Sequence, residues 1–183
     1  MAHTFTTTAL SRLGREARRR NDPVYFLDRF GPMHARWHSL PSNARPLGFL
    51  LYHWHVIEAF KTAGGPRFWG GGGVRPFTNA NFATFGWPYN VAAQAEAGDI
   101  DSLATFSFEI EVWHNDAHMA IGMATDTPMM DPEENIWYLP FWRLHYFIDA
   151  RFVEQLRRFG GTGSVRRRVQ RLVARQHSDV ARI

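Results

Sequence analysis

A chain of 183 residues with 45% hydrophobic and 15% aromatic content favours one domain with a substantial core, and a charged fraction of 21% is too low for disorder. The absence of cysteine removes disulfides, thiolate zinc sites and cysteine nucleophiles, so any metal must be held by imidazole or oxygen. The net charge of +4 is modest, no apolar run reaches the roughly eighteen residues of a membrane span, and the opening MAHTFTTTALSRLGREARRR lacks a signal-peptide core, which points to a cytoplasmic chain.

Basic residues gather at Arg15, Arg18, Arg19 and Arg20. The dipeptide Asp22–Pro23 then offers a cap and a first-turn proline for a helix running from about Asp22 to His38. SLPSNARP is a turn-rich break before a second helix, GFLLYHWHVIEAFK, closed by Gly64 and Gly65. From Pro66 to Asn90 the glycine, proline, asparagine and aromatic content predicts a long irregular loop. VAAQAEAGDIDSLATFSFEIE leads into a third helix, WHNDAHMAI, and MATDTPMMDPEEN is a second loop. A fourth, strongly apolar helix starts near Pro140. Beyond it, Arg166, Arg167, Arg168, Arg171 and Arg175 interleave with Val165, Val169, Leu172 and Val173, as in an amphipathic helix over 163–177. Such arginines could neutralise phosphates, but no nucleic-acid motif accompanies them, and a solvated helix docked by its apolar stripe is the favoured reading. The expectation is a mainly α fold: a single domain over 1–183, with a four-helix core at about 22–160 and two long loops.

Six of the nine histidines fall into two similar sets. His34 and His38 form an H-x-x-x-H pair followed by His53, and His114 and His118 form another followed by His145. That spacing puts two imidazoles one turn apart on one helix face, and a later helix supplies a third. A single such histidine reads more readily as a hydrogen-bonded core residue; the repetition is what points to metal. Three imidazoles suit copper or zinc and leave coordination positions open, and two sets meeting in a bundle core would make a binuclear site. No glutamate follows His34 or His114, so neither pair is the H-E-x-x-H of a zinc protease. His3 and His177, near the ends, are expected to be dispensable.

The second set resembles the second half-site of the tyrosinase, catechol oxidase and hemocyanin family of binuclear copper proteins. His114, Asn115 and His118 match H-N-x-x-H, Asp131 and Pro132 match the D-P that ends the following loop, and Phe141, Trp142, His145 and Asp149 match the helix motif F-W-x-x-H-x-x-x-D. The arginine that follows in the family sits one place late, at Arg151. In the first half-site Phe49, Leu50, His53 and Phe60 match, with Leu51 and Tyr52 where the family has proline and tryptophan. Ala44 stands where members usually carry a histidine, so His34 and His38 are the ligands at hand, with His55 as a competing candidate. The resemblance spans residues 30 to 152.

The resemblance implies two copper ions that take up dioxygen as co-substrate and oxidise a small aromatic phenol, catechol or o-aminophenol, with a copper-delivery partner a further prospect. It also implies that Asn115 and a nearby glutamate, Glu111 or Glu109, position a water that removes the phenolic proton. Asp149 would orient a ligand imidazole or pair with an arginine. A chain of 21.1 kDa leaves no room for a shielding C-terminal domain, so an open site flanked by the glycine-rich loop around Trp69 to Trp87 is expected. Twenty arginines against one lysine, Lys61, suggest a GC-rich bacterial gene. The alternatives are a dioxygen- or copper-binding protein without turnover and a dizinc hydrolase; neither a membrane nor nucleic acid is an expected partner.

Overall fold

The structure is a computed structural model describing residues 7–41, 48–70, 72–86 and 103–158. Among these residues it is mainly helical, with no strand, and the expected bundle of four helices is present. Those four are α2 (Pro23–Ser39), α3 (Gly48–Thr62), α5 (Leu103–Thr125) and α6 (Leu139–Arg158). Two further helices, α1 (Thr7–Arg20) and α4 (Asn79–Thr84), flank them.

The start of α2 follows from its sequence: the Asp22 carboxylate accepts the Tyr25 N–H at 3.1 Å, and Pro23 fills the first turn, where a missing N–H costs nothing. α2 and α3 are joined through rings. Trp37 lies flat on Tyr52 at 4.1 Å between centroids, and Phe26 meets Phe60 at 5.9 Å. Phe60 in turn stacks on Trp142 of α6 at 3.6 Å, while the Trp142 indole N–H donates to the Ile136 carbonyl at 2.7 Å. Large aromatic rings at these contacts bury much area and fix the helices rotationally, which sets the faces that point inward.

Three sequence expectations need correction. The N-terminal segment, left without an element, is a helix: Leu10, Leu13 and Ala17 recur at helical spacing, are buried, and dock α1 on α3 and α2. Its arginines end that helix, where positive charge complements the dipole, and Arg20 and Arg29 lie over the Tyr25 ring at 4.3 and 3.7 Å. The stretch from Pro66 onward is not wholly irregular, because Thr78 and Asn81 form a reciprocal capping box that starts α4. It also does not flank the candidate site within its described part. Phe82 packs on Trp113 and Phe147 at 5.0 and 4.8 Å, and Trp69 packs on Phe60 at 5.8 Å, about two turns along α3 from His53.

The third helix begins well before WHNDAHMAI, so that FSFEIE is helical. It ends at Thr125, followed by Asp126, whose left-handed backbone (φ 51°) suits a short polar side chain. The basic segment 163–177, with Arg166 to Arg175, and both His3 and His177 lie outside the described residues. No described helix is long and apolar enough to cross a membrane.

Because α1 is held by so few apolar side chains, Leu10→Ala should lower the unfolding free energy by about 2–5 kcal/mol, as buried leucine truncations do. Urea titration of the variant measures this, and an unchanged midpoint would show that α1 does not dock on the bundle.

Candidate metal centre

The inward faces of α2, α3, α5 and α6 bring six imidazoles together. His34 and His38 come from α2, His53 from α3, His114 and His118 from α5, and His145 from α6. Five of the six are buried, with 1–5% of their surface exposed, and His38 is half-buried. His34, His38 and His53 have ligand nitrogens within 4.8 Å of one another, as do His53, His114 and His145. His118 closes on the second group by its ring, 4.2 Å from His114 and 5.4 Å from His145. The first set expected from spacing is assembled, whereas in the second group His53 stands where His118 was expected, with His118 beside it by its ring.

Four of these rings are held the same way. His34 Nδ1 donates to the Pro132 carbonyl at 2.6 Å, His53 Nδ1 to Phe49 at 2.9 Å, His118 Nδ1 to Met129 at 2.5 Å and His145 Nδ1 to Phe141 at 2.8 Å. A carbonyl can only accept, so each bond places the proton on Nδ1 and leaves a lone pair on Nε2. The same hydrogen bond from a second ring nitrogen commonly fixes metal-ligating histidines. His114 Nδ1 faces the Asn115 side-chain oxygen at 3.3 Å, which favours that tautomer there too.

The consequence lies in the middle of the bundle. His114 and His145 point their Nε2 atoms at each other across 3.1 Å, and His34 and His38 do so across 3.0 Å. The Nε2 atoms of His53 and His118 are buried with no hydrogen-bond partner. A neutral His38 can donate its Nε2–H to His34, but the lone pairs of His114 and His145 repel at such a distance unless an added proton or a cation lies between them. A proton is disfavoured, because burial first, and neighbouring imidazoles second, hold His53 and His114 well below the ordinary histidine range. Burial likewise depresses His145, and it pushes His34 down to about 3 and His118 to about 4. A metal ion with nitrogen ligands at about 2.0–2.1 Å places two such nitrogens about 3.3 Å apart when tetrahedral, close to the separations found. The donor set fits a borderline or soft-leaning metal such as copper or zinc and does not fit magnesium or calcium.

Two glycines admit the loop that supplies two of these carbonyls. A Cβ on Gly31 of α2 would come within 2.7 Å of the Glu133 carbonyl oxygen, and one on Gly122 of α5 within 3.1 Å of the Thr127 carbonyl oxygen. The loop can therefore lie directly on both helices. Asp131 shapes it by accepting the Glu133 and Glu134 N–H groups at 2.8 and 3.2 Å, which turns the Pro132 carbonyl toward His34.

The remaining sequence candidates separate clearly. Asn115 is exposed and lines a small cleft over the imidazoles together with His38, His114, His118 and Asn135. Glu111 and Glu109 are half-buried on α5, and neither lines that cleft. By helical rotation Glu111 lies about 60° from His114 and Glu109 about 140°. His55 packs on Trp54 and joins neither ligand group. Asp149 neither orients an imidazole nor pairs with an arginine: it faces Lys61 of α3 at 3.7 Å, and burial raises its carboxyl to about 6. Asn135 was not legible as a site residue. It is buried, donates to the Met129 carbonyl at 3.1 Å beside His118, and keeps its side-chain oxygen without a hydrogen-bond partner.

No family model, curated protein or solved structure matches this chain.

Each depressed imidazole binds a proton in the unfolded chain, near pH 6.5, before it does so in the fold. The metal-free protein should thus be most stable above pH 6.5 and lose stability as the pH falls from 6.5 toward 3, by about 1.4 kcal/mol per pH unit for each such group. Thermal melts of chelated protein between pH 8 and 4 test this; a midpoint constant across that range would mean that the imidazoles are not held neutral.

Proposed function

We propose that the chain is a dicopper oxidase that uses dioxygen to oxidise phenols, catechols or o-aminophenols, as the type 3 copper family does. The observation that carries this reading is the gathering of six imidazoles on the inward helix faces, four of them fixed by backbone carbonyls with the lone pair on Nε2. His34, His38 and His53 would hold one ion, and His114, His118 and His145 the other. Copper cycling between Cu(I) and Cu(II) would supply the electron transfer between dioxygen and the phenol.

The chain's own residues divide the rest of the work. Phe141 lies on the His145 ring at 3.9 Å, and Phe49 contacts His53 and His114 at 4.4 and 4.7 Å, so the rings are dry and rotationally locked. The cleft bordered by Asn115 is where a phenol would approach. A monophenol must lose a proton whose ordinary pKa is about 10. Asn115, which borders the cleft, would orient the water that accepts it. The small size of that cleft favours one second reading, a dioxygen- or copper-binding protein without turnover.

Copper-loaded protein should carry two metal ions per chain, and alanine at any of the six histidines should lower that content. Metal analysis that never exceeds one ion per chain, or six variants with full occupancy, would remove the binuclear reading. Coloured product from catechol or o-aminophenol, formed only with copper and dioxygen, should accompany the loaded protein. Two coppers without product would leave the binding reading, and hydrolysis of an ester or amide by the zinc-loaded protein would favour a hydrolase.

Asn115→Leu should slow monophenol hydroxylation by about 10²–10⁴-fold while sparing diphenol oxidation, since a positioned base is worth that much. Steady-state rates on matched mono- and diphenols read the difference. Equal losses on both, accompanied by lost copper, would instead assign Asn115 to holding His114.

A further inference from the structure

Four of the six methionines fall between positions 119 and 130. Met129 is buried, but Met119, Met123 and Met130 are 48%, 82% and 62% exposed. Exposed methionine gains nothing from core packing, so three together call for an explanation. Met119 and Met123 stand one turn apart on α5. Met130 comes from the following loop, which the Thr127 N–H ties to the Gly122 carbonyl at 3.2 Å. The three line one open groove with Thr127, Pro128 and Asp131.

Position gives the groove its meaning. Met130 and Pro132 line both this groove and the cleft over the imidazoles, so the two are continuous. The donor chemistries differ on either side of that boundary. No imidazole lines the groove, and the Asp131 Oδ1 is engaged by two backbone N–H groups. The thioethers are the soft donors of this groove, and soft donors select Cu(I) over Cu(II) and Zn(II).

We propose that Met119, Met123 and Met130 form a cuprous-ion site at the mouth of the histidine cleft, which accepts Cu(I) and passes it inward. The transfer is a ligand exchange: sulfur–copper bonds give way to nitrogen–copper bonds with no change of oxidation state. The receiving His118 Nε2 carries a lone pair already, because its proton sits on Nδ1, so no proton has to leave. The destination rests on the copper reading of the histidine centre; the binding of a soft ion to the groove does not.

The test uses metal-free protein carrying ¹³C in its methionine methyl groups, titrated with Ag(I) as a redox-inert stand-in for Cu(I). The methyl resonances of Met119, Met123 and Met130 should shift together, ahead of those of Met33 and Met129. Zn(II) should leave them in place. The triple variant Met119→Leu, Met123→Leu, Met130→Leu keeps shape and exposure, and it should reach the same final copper content as the parent. Its filling from a Cu(I)–glutathione donor should be about tenfold slower, the loss of a local concentration effect. Methyls that do not respond to Ag(I), methyls that respond equally to Zn(II), or a triple variant that fills at the parent rate would each overturn the proposal. A histidine centre that takes no copper would overturn the functional reading instead, while the Ag(I) titration would still decide whether the groove binds a soft ion.

Discussion

Everything at the centre of this bundle depends on where the imidazole protons sit. A buried histidine offers a donor and an acceptor, and the backbone decides which nitrogen plays which part. Here carbonyls of four different residues, Phe49, Met129, Pro132 and Phe141, capture Nδ1 protons, so the opposite nitrogens all turn inward as bases. Two of those carbonyls lie one turn back on the histidine's own helix, at Phe49 and Phe141. For His53 and His145 the ring orientation is therefore a local property of α3 and α6.

The other two depend on tertiary structure. His34 and His118 are oriented by one loop, through Pro132 and Met129, and that loop reaches them because Gly31 and Gly122 leave it room. The Met129 carbonyl accepts from both His118 and Asn135, and the Ile136 carbonyl accepts from Trp142, so the loop is stitched to the aromatic core as well as to the site. The aromatic stack of Phe60 on Trp142 then ties the positions of α3 and α6 to the same network.

Much of this was legible in the sequence, for reasons that particular residues make plain. The H-x-x-x-H pairs work at the range of one helical turn, and Asp22–Pro23 announces its own helix start, so spacing and capping were enough for both. His53 and His145 stand out because each sits among large apolar neighbours, Leu51, Tyr52 and Trp54 for one and Leu144, Tyr146 and Phe147 for the other. α1 was harder, since its arginine-rich end drew attention from the thin stripe of Leu10, Leu13 and Ala17. α4 hid in a glycine- and asparagine-rich stretch because one capping box outweighed the composition. The partner of Asp149 and the place of Asn135 were out of reach, because each is set by an element distant in the chain: Lys61 on α3 for one, the fold of the 126–135 loop for the other.

The contact between His34 and Pro132 has a kinetic side. It joins residues 98 positions apart, whereas the His53 and His145 contacts each span four. Short-range bonds form as soon as their helices do, but a long loop must pay its closure entropy before the contact rewards it. The centre would thus assemble in stages, with one imidazole of each set, His53 and His145, aimed by its own helix before the loop arrives. A nascent chain meeting metal early would hold it in isolated helical pairs, and the complete set of donors would exist only after the last long-range docking of the fold.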